Sequence, residues 1–156
     1  MYLWLKLLHL AAVIAFLGNI TTGLFWHAHA ARTRDPRLLA YTMDGIIRSD
    51  RMFTMPGVFG IIAAGVAAAM VGHLPILGTR WILWTLVLFA ISGLTFVLRV
   101  APLQRQLRDL AQTGSTTGSF DYSQYQRLAR RWEGWGAVAL VTPLIGLVFM
   151  VLKPAF

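Results

Sequence analysis

Four separate apolar stretches, residues 3–26, 53–71, 81–101 and 134–152, fill most of this 156-residue chain. A hydrocarbon core ~30 Å thick needs ~20 apolar helical residues to cross it, and a soluble domain of this size has no use for four such segments. Lipid offers the backbone no hydrogen-bond partners, so each stretch must satisfy its own as a helix. The expectation is all-α: a four-transmembrane-helix antiparallel bundle, one domain over residues 1–156. Composition agrees, with 57% apolar and 13% charged residues against ~45–50% and ~25% in soluble domains.

The net charge of +8 is not spread as a nucleic-acid reading face. Arg32, Arg34, Arg37, Arg48 and Arg51 lie between the first two stretches. Arg99, Arg105, Arg108, Arg127, Arg130 and Arg131 lie between the third and fourth or at the end of the third. The middle connection holds only Arg80. Positive charge at span ends marks the cytoplasmic side, which puts the connections 27–52 and 102–133 inside and both termini on the outer side. Anionic lipid headgroups are the expected partners of these arginines; nucleic acid is not. The chain has no cysteine, which excludes disulfides, thiolate metal sites and a cysteine nucleophile. Ala28-His29-Ala30 has the small-x-small look of a signal cleavage site, but the apolar run before it is longer than the ~7–15 residues of a signal, so the first span is expected to be retained.

Residues 72–79, with Pro75 and Gly78, should join spans two and three as a tight hairpin. Asp35-Pro36 reads as an N-cap followed by proline at the first helical position. Residues 36–48 then read as a short amphipathic helix, lying at the headgroups or extending the second span. In the second long connection a basic start, 103–111, precedes a flexible linker, 113–119, and a second amphipathic piece, 122–131. Neither connection is long enough to bury a core of its own. Ala64, Ala68 and Gly72 fall four apart and give span two a face for close helix approach, or a smooth wall for a flat ligand. Trp4, Trp26, Trp81, Trp132 and Trp135 sit at predicted span ends, as an interfacial belt.

Ionisable residues inside a membrane are costly and default to a functional reading. No Asp or Glu falls within a predicted span, which argues against a proton-coupled transporter and against paired-carboxylate or calcium and magnesium chemistry. His9 stands out. At 100° per residue His9, Phe16, Ile20, Gly23 and His27 share one stripe, with Val13 beside it, and that stripe must face inward if His9 is to find a partner. His27 and His29 fall at the cytoplasmic edge as interfacial histidines. His73 emerges on the same side as His9, and two imidazoles on adjacent helices are the minimum for bis-histidine haem ligation. His9 and His73 are therefore the candidate metal ligands, with buried hydrogen bonding as the alternative for His9. Lys6, one turn before His9, either snorkels to the headgroups or pairs with a haem propionate. Asn19, Thr21 and Thr22 read as interhelical hydrogen-bonding residues. The methionines show no M-x-M clustering, so copper(I) transport draws no support from them.

The opening Trp4-Leu5-Lys6-Leu7-Leu8-His9-Leu10, with Gly18, resembles the first helix of several small bacterial membrane families. With Ala31-Arg32-Thr33-Arg34-Asp35-Pro36 and Arg51-Met52-Phe53-Thr54-Met55-Pro56-Gly57, it resembles an uncharacterised "domain of unknown function" family of predicted four-helix integral membrane proteins. More distantly the lysine–histidine opening looks like the J-type protoporphyrinogen oxidase and the copper-resistance D-type membrane domain. In the oxidase family the first-helix histidine is implicated in haem binding, which by resemblance implies the same for His9. The lysine that family carries deeper in its bundle has no counterpart here. The resulting expectation is a multi-pass protein of the bacterial inner membrane. It would bind haem b through His9, with His73 and Lys6, and pass electrons between a quinone pool and a partner. The rival expectations are a non-catalytic membrane subunit or assembly factor, packing against a membrane-protein partner or a second copy, and a copper or small-solute carrier.

Overall fold

A computed structural model describes residues 1–154. It consists of four long helices: α1 (Tyr2–Ala31), α2 (Pro36–Val71), α3 (Arg80–Thr117) and α4 (Tyr122–Leu152). Each is long and apolar enough to cross a membrane, and each predicted span lies inside one of them. Most large apolar side chains on their outer faces are exposed, among them Leu3, Trp4, Phe59, Met70 and Leu98. That arrangement suits lipid as the surrounding solvent.

The helices outrun the apolar stretches. The 38 residues of α3 rise ~57 Å at 1.5 Å per residue, nearly twice the ~30 Å hydrocarbon core. Asp35 caps α2, its Oδ1 accepting from Arg37 N at 2.8 Å, and Pro36 occupies the first helical position. The 36–48 segment is thus the beginning of α2, not a separate helix at the headgroups. The expected flexible linker 113–119 is likewise helical as far as Thr117, and Gly118, in the left-handed conformation at φ 70°, ends the helix. Residues 122–131 begin α4.

These extensions do bury a core, contrary to the expectation for connections of their length. Leu39, Met43 and Ile46 of α2, Leu107 and Ala111 of α3, and Tyr125 and Ala129 of α4 form one buried cluster with Ala30 of α1. No single connection supplies enough apolar surface; four helix ends packed together do. Trp132 belongs to this cluster at 2% exposure, so it is a core residue and not part of an interfacial belt.

Packing differs between the two ends of the bundle. At the arginine-rich end the first part of α2 packs on the last part of α3, with α1 and α4 completing the layer. At the hairpin end α1 pairs with the last part of α2, and the first part of α3 pairs with α4. Close approach of α1 and α2 depends on absent side chains: a Cβ on Gly57 or Gly60 would lie 3.2 Å from Phe16 Cβ or 3.0 Å from Ala12 Cβ. Two π-turns interrupt the helices, Asp50–Thr54 in α2 and Phe96–Val100 in α3. Each is followed two residues later by a proline, Pro56 or Pro102. Proline removes one helical N–H and crowds the carbonyl four residues back, and a widened turn relieves both problems.

Candidate functional site: a hairpin-end cavity and a buried polar layer

Separation of the two helix pairs at the hairpin end leaves a cavity of about 470 Å³. Its walls are almost wholly apolar, from Val13, Leu17, Ile62 and Leu86 to Leu147 and Val151. Phe16 and Phe89, with ring centroids 5.7 Å apart, meet across it at mid-bundle and separate it from the arginine-rich half. Three basic side chains line it: Lys6, His9 and Lys153. Lys6 Nζ stands 5.7 Å from the Tyr2 ring centroid, and Lys153 Nζ 5.6 Å from that of Trp81. Small-molecule pockets span ~300–1,000 Å³ and are mostly apolar with a few placed polar groups. This cavity has that form.

The stripe read from the sequence faces inward: His9 is half-buried, and Phe16 and His27 are buried. His9 Nδ1 lies 2.9 Å from the Ile61 carbonyl oxygen of α2. A carbonyl only accepts, so Nδ1 carries a proton, and in the neutral ring it is Nε2 that holds the lone pair. Gly65 allows this contact, because a Cβ there would stand 3.0 Å from both Cε1 and Nδ1 of the imidazole. Metal-ligating histidines commonly donate their other N–H to a carbonyl, which fixes both tautomer and ring orientation. The donor chemistry here fits a group held through one imidazole nitrogen in an apolar cavity.

His73 is not brought to His9. It is exposed, lies outside the cavity lining, and adopts φ 51° just past the end of α2. Leu74 N donates to Ala69 O at 2.9 Å across it, so His73 occupies the left-handed position where a helix usually ends on glycine. Lys6 is exposed at the cavity edge.

The second concentration of polar groups was hidden from the sequence by its position in a supposed connection. Asp50, at the start of the α2 π-turn, is 6% exposed. Its Oδ1 accepts from Asn19 Nδ2 at 2.9 Å and Thr54 Oγ1 at 2.8 Å, and its Oδ2 accepts from Gln104 Nε2 at 2.9 Å. Asn19 thus makes the interhelical bonds expected of it. Thr21 and Thr22 do not; both are exposed and donate back to Leu17 O and Gly18 O of their own helix. Asp50 lies outside the apolar stretch 53–71 but is buried on the same continuous helix.

His27 lies in the same half and is fully buried, in place of the interfacial setting expected for it. Its Nε2 is 3.1 Å from the Tyr125 hydroxyl, and its Nδ1 is 3.4 Å from Glu133 Oε1 without hydrogen-bond alignment. The Trp132 ring meets the His27 ring at 64°, with centroids 4.8 Å apart. A cavity of about 20 Å³ separates this group from the Asp50 cluster, bordered by Asn19, Asp50, Gln104 and Trp132. Helical spacing carried the signal: Leu39, Met43, Ile46, Asp50 and Thr54 continue one inward stripe, as do Gln104, Leu107 and Ala111. No group of three or more His, Cys, Asp or Glu side chains suited to a metal ion occurs among the described residues.

No curated protein sequence and no solved structure matches this chain. A family model described as "Predicted integral membrane protein (DUF2269)" matches residues 3–154. That match takes in all four helices and both polar sites, and the chain belongs to this family of predicted integral membrane proteins.

Proposed function

We propose that the protein holds haem b in the hairpin-end cavity, with His9 Nε2 as the nitrogen that would hold it, and serves electron transfer within the membrane. The observation that carries this reading is the His9–Ile61 hydrogen bond at the edge of a large apolar cavity. It leaves a basic nitrogen, held in one orientation, where water is scarce. Lys6 and Lys153, both lining the cavity, are the groups to hold the carboxylates of such an amphiphile. The Phe16–Phe89 contact bounds the cavity toward the arginine-rich half. When bound, the haem would supply a one-electron couple; His9 would hold it, the apolar walls would exclude water, and Lys6 and Lys153 would pair with its carboxylates. His73, at its capping position, has no part in this scheme. We further infer that the membrane is the bacterial inner membrane, with the arginine-rich end in the cytoplasm among anionic headgroups.

Protein purified with haem supplied during expression should show a Soret band. His9→Ala should abolish the band or shift it and weaken haem retention at least ~tenfold, the usual scale for losing a ligand or its support. His73→Gly should leave it unchanged. Absence of a Soret band from well-folded, haem-supplemented protein, or equal retention by His9→Ala, overturns the proposal.

A further inference from the structure

Asp50 is an acid without a counter-charge. Its hydrogen-bond partners, Asn19, Thr54 and Gln104, are all neutral. Among the described residues no lysine, arginine or histidine forms an ion pair with it. The groups facing it are Asn19 from α1, Gln104 from α3 and Trp132 from α4, none of which titrates in the ordinary range. His27, Tyr125 and Glu133 are the other titratable groups packed in this layer, and they meet it at Trp132 and beyond. Arg48, Arg51, Arg99 and Arg105 on the flanking turns are exposed.

Two independent features converge on the small cavity beside this carboxylate. Its volume, about 20 Å³, exceeds the ~10–15 Å³ that one water requires. Trp132, which borders it, is 2% exposed and its Nε1–H has no acceptor among the described residues. Buried donors are nearly always satisfied, by protein or by ordered water. Asp50 Oδ2 accepts from Gln104 alone, so a carboxylate lone pair remains for the same water. Asp50 and Thr54 bound a π-turn and are joined on one inward face by the Thr54 hydroxyl bond; such turns recur at functional sites.

We propose that this cavity is a proton-binding site, in which one water held by the Trp132 indole N–H passes a proton to and from the Asp50 carboxylate. In the loading step a hydrated proton from solvent gives up one O–H bond, a new O–H bond forms on Asp50 Oδ2, and neutral water remains. Release is the reverse. The site is separate from the His9 cavity and does not depend on what occupies it.

The test is infrared difference spectroscopy of the full chain in lipid nanodiscs during a pH titration. Native protein should show a protonated-carboxyl C=O band that titrates, together with an O–H stretch of bound water that shifts in ¹⁸O-labelled water. Asp50→Asn should remove the carboxyl band. Trp132→Phe should remove the water band and move the carboxyl midpoint up by roughly half a pH unit or more, because the ionised form loses a water-mediated donor. Native protein alone can overturn the proposal if it shows no titrating carboxyl band, no ¹⁸O-sensitive band, or a transition that follows sodium concentration instead of pH. A carboxyl band that survives Asp50→Asn overturns it equally.

Discussion

Ser92 shows how single residues repair what the membrane would not forgive. Pro143 has no N–H, so the Ala139 carbonyl, one turn earlier in α4, loses its helical partner. In lipid no water can take that place. Ser92 of α3, 2% exposed, donates to that carbonyl at 2.6 Å. Ser92→Ala should therefore destabilise the bundle by ~1–2 kcal/mol, the cost of a buried acceptor left without a partner. In a Pro143→Ala background, where residue 143 regains an N–H, the same substitution should cost markedly less. Denaturant titration of all four proteins of this double-mutant cycle in detergent measures the coupling, and additive losses would refute the repair. Residues of this kind divide sharply in how legible they are. His9 announces itself because an imidazole in an apolar run needs a partner, and that need, with 100° spacing, points its stripe inward. Ser92 and Trp132 give no such warning. A small hydroxyl and a tryptophan near a span end each have an ordinary explanation, and only the residue across the helix interface reveals another.

At the scale of elements each apolar stretch falls inside one long helix, but the end of the apolar surface is not the end of the helix. Arginines appear where the outer face of a helix stops being apolar, while the inner face goes on packing. Leu39, Met43 and Ile46 in α2 and Leu107 and Ala111 in α3 therefore remain buried well beyond the first arginine. Asp50 accordingly lies outside the apolar stretch and yet inside the packed core. The true ends are local. Gly118 ends α3 in the left-handed conformation, and Asp121 begins α4, its Oδ1 accepting from the Ser123 and Gln124 amides and the Ser123 hydroxyl. The hydroxyl bond, reinforced by those amides and by Arg127, holds the Asp121 carboxyl below the usual carboxylate range. The shift is downward, so the ionised cap favours the folded helix end above the unfolded-state value of ~4 and is lost as pH falls through the lower folded-state value. Amide hydrogen exchange at Ser123 and Gln124 should accelerate relative to the rest of α4 on acidification. Asp121→Asn keeps an acceptor without a titrating group, and should hold the relative rates flat across the same range.

The whole molecule joins two solvents' worth of packing. Its arginine-rich end is a water-style core, where four helix ends seclude apolar side chains; its hairpin end is two helix pairs with a cavity between them, which lipid or a ligand must fill. The separation follows from side-chain size. Glycines at 57 and 60 draw α1 tightly onto α2, whereas no comparable contact joins α1 to the first part of α3 at that end. Length makes this division testable. Subtracting a ~30 Å hydrocarbon core from ~57 Å of α3 leaves ~27 Å of helix standing clear of it, with Gln112 well into that portion and Leu98 within the apolar part. The chain has no cysteine, so single substitutions report position without background. Leu77→Cys, in the hairpin, should react with a membrane-impermeant maleimide on intact cells, while Ser119→Cys and Gln112→Cys should react only after permeabilisation. Leu98→Cys should stay unreactive in both cases, although its side chain is 64% exposed in the protein alone, because lipid covers it. Gln112→Cys behaving like Leu98→Cys would mean that the end of α3 lies along the headgroups and that the packed layer around Asp50 sits deeper than the helix lengths require. Labelling of Ser119→Cys on intact cells would instead invert the molecule, exposing the arginines on the outer face and moving the His9 cavity to the cytoplasmic leaflet.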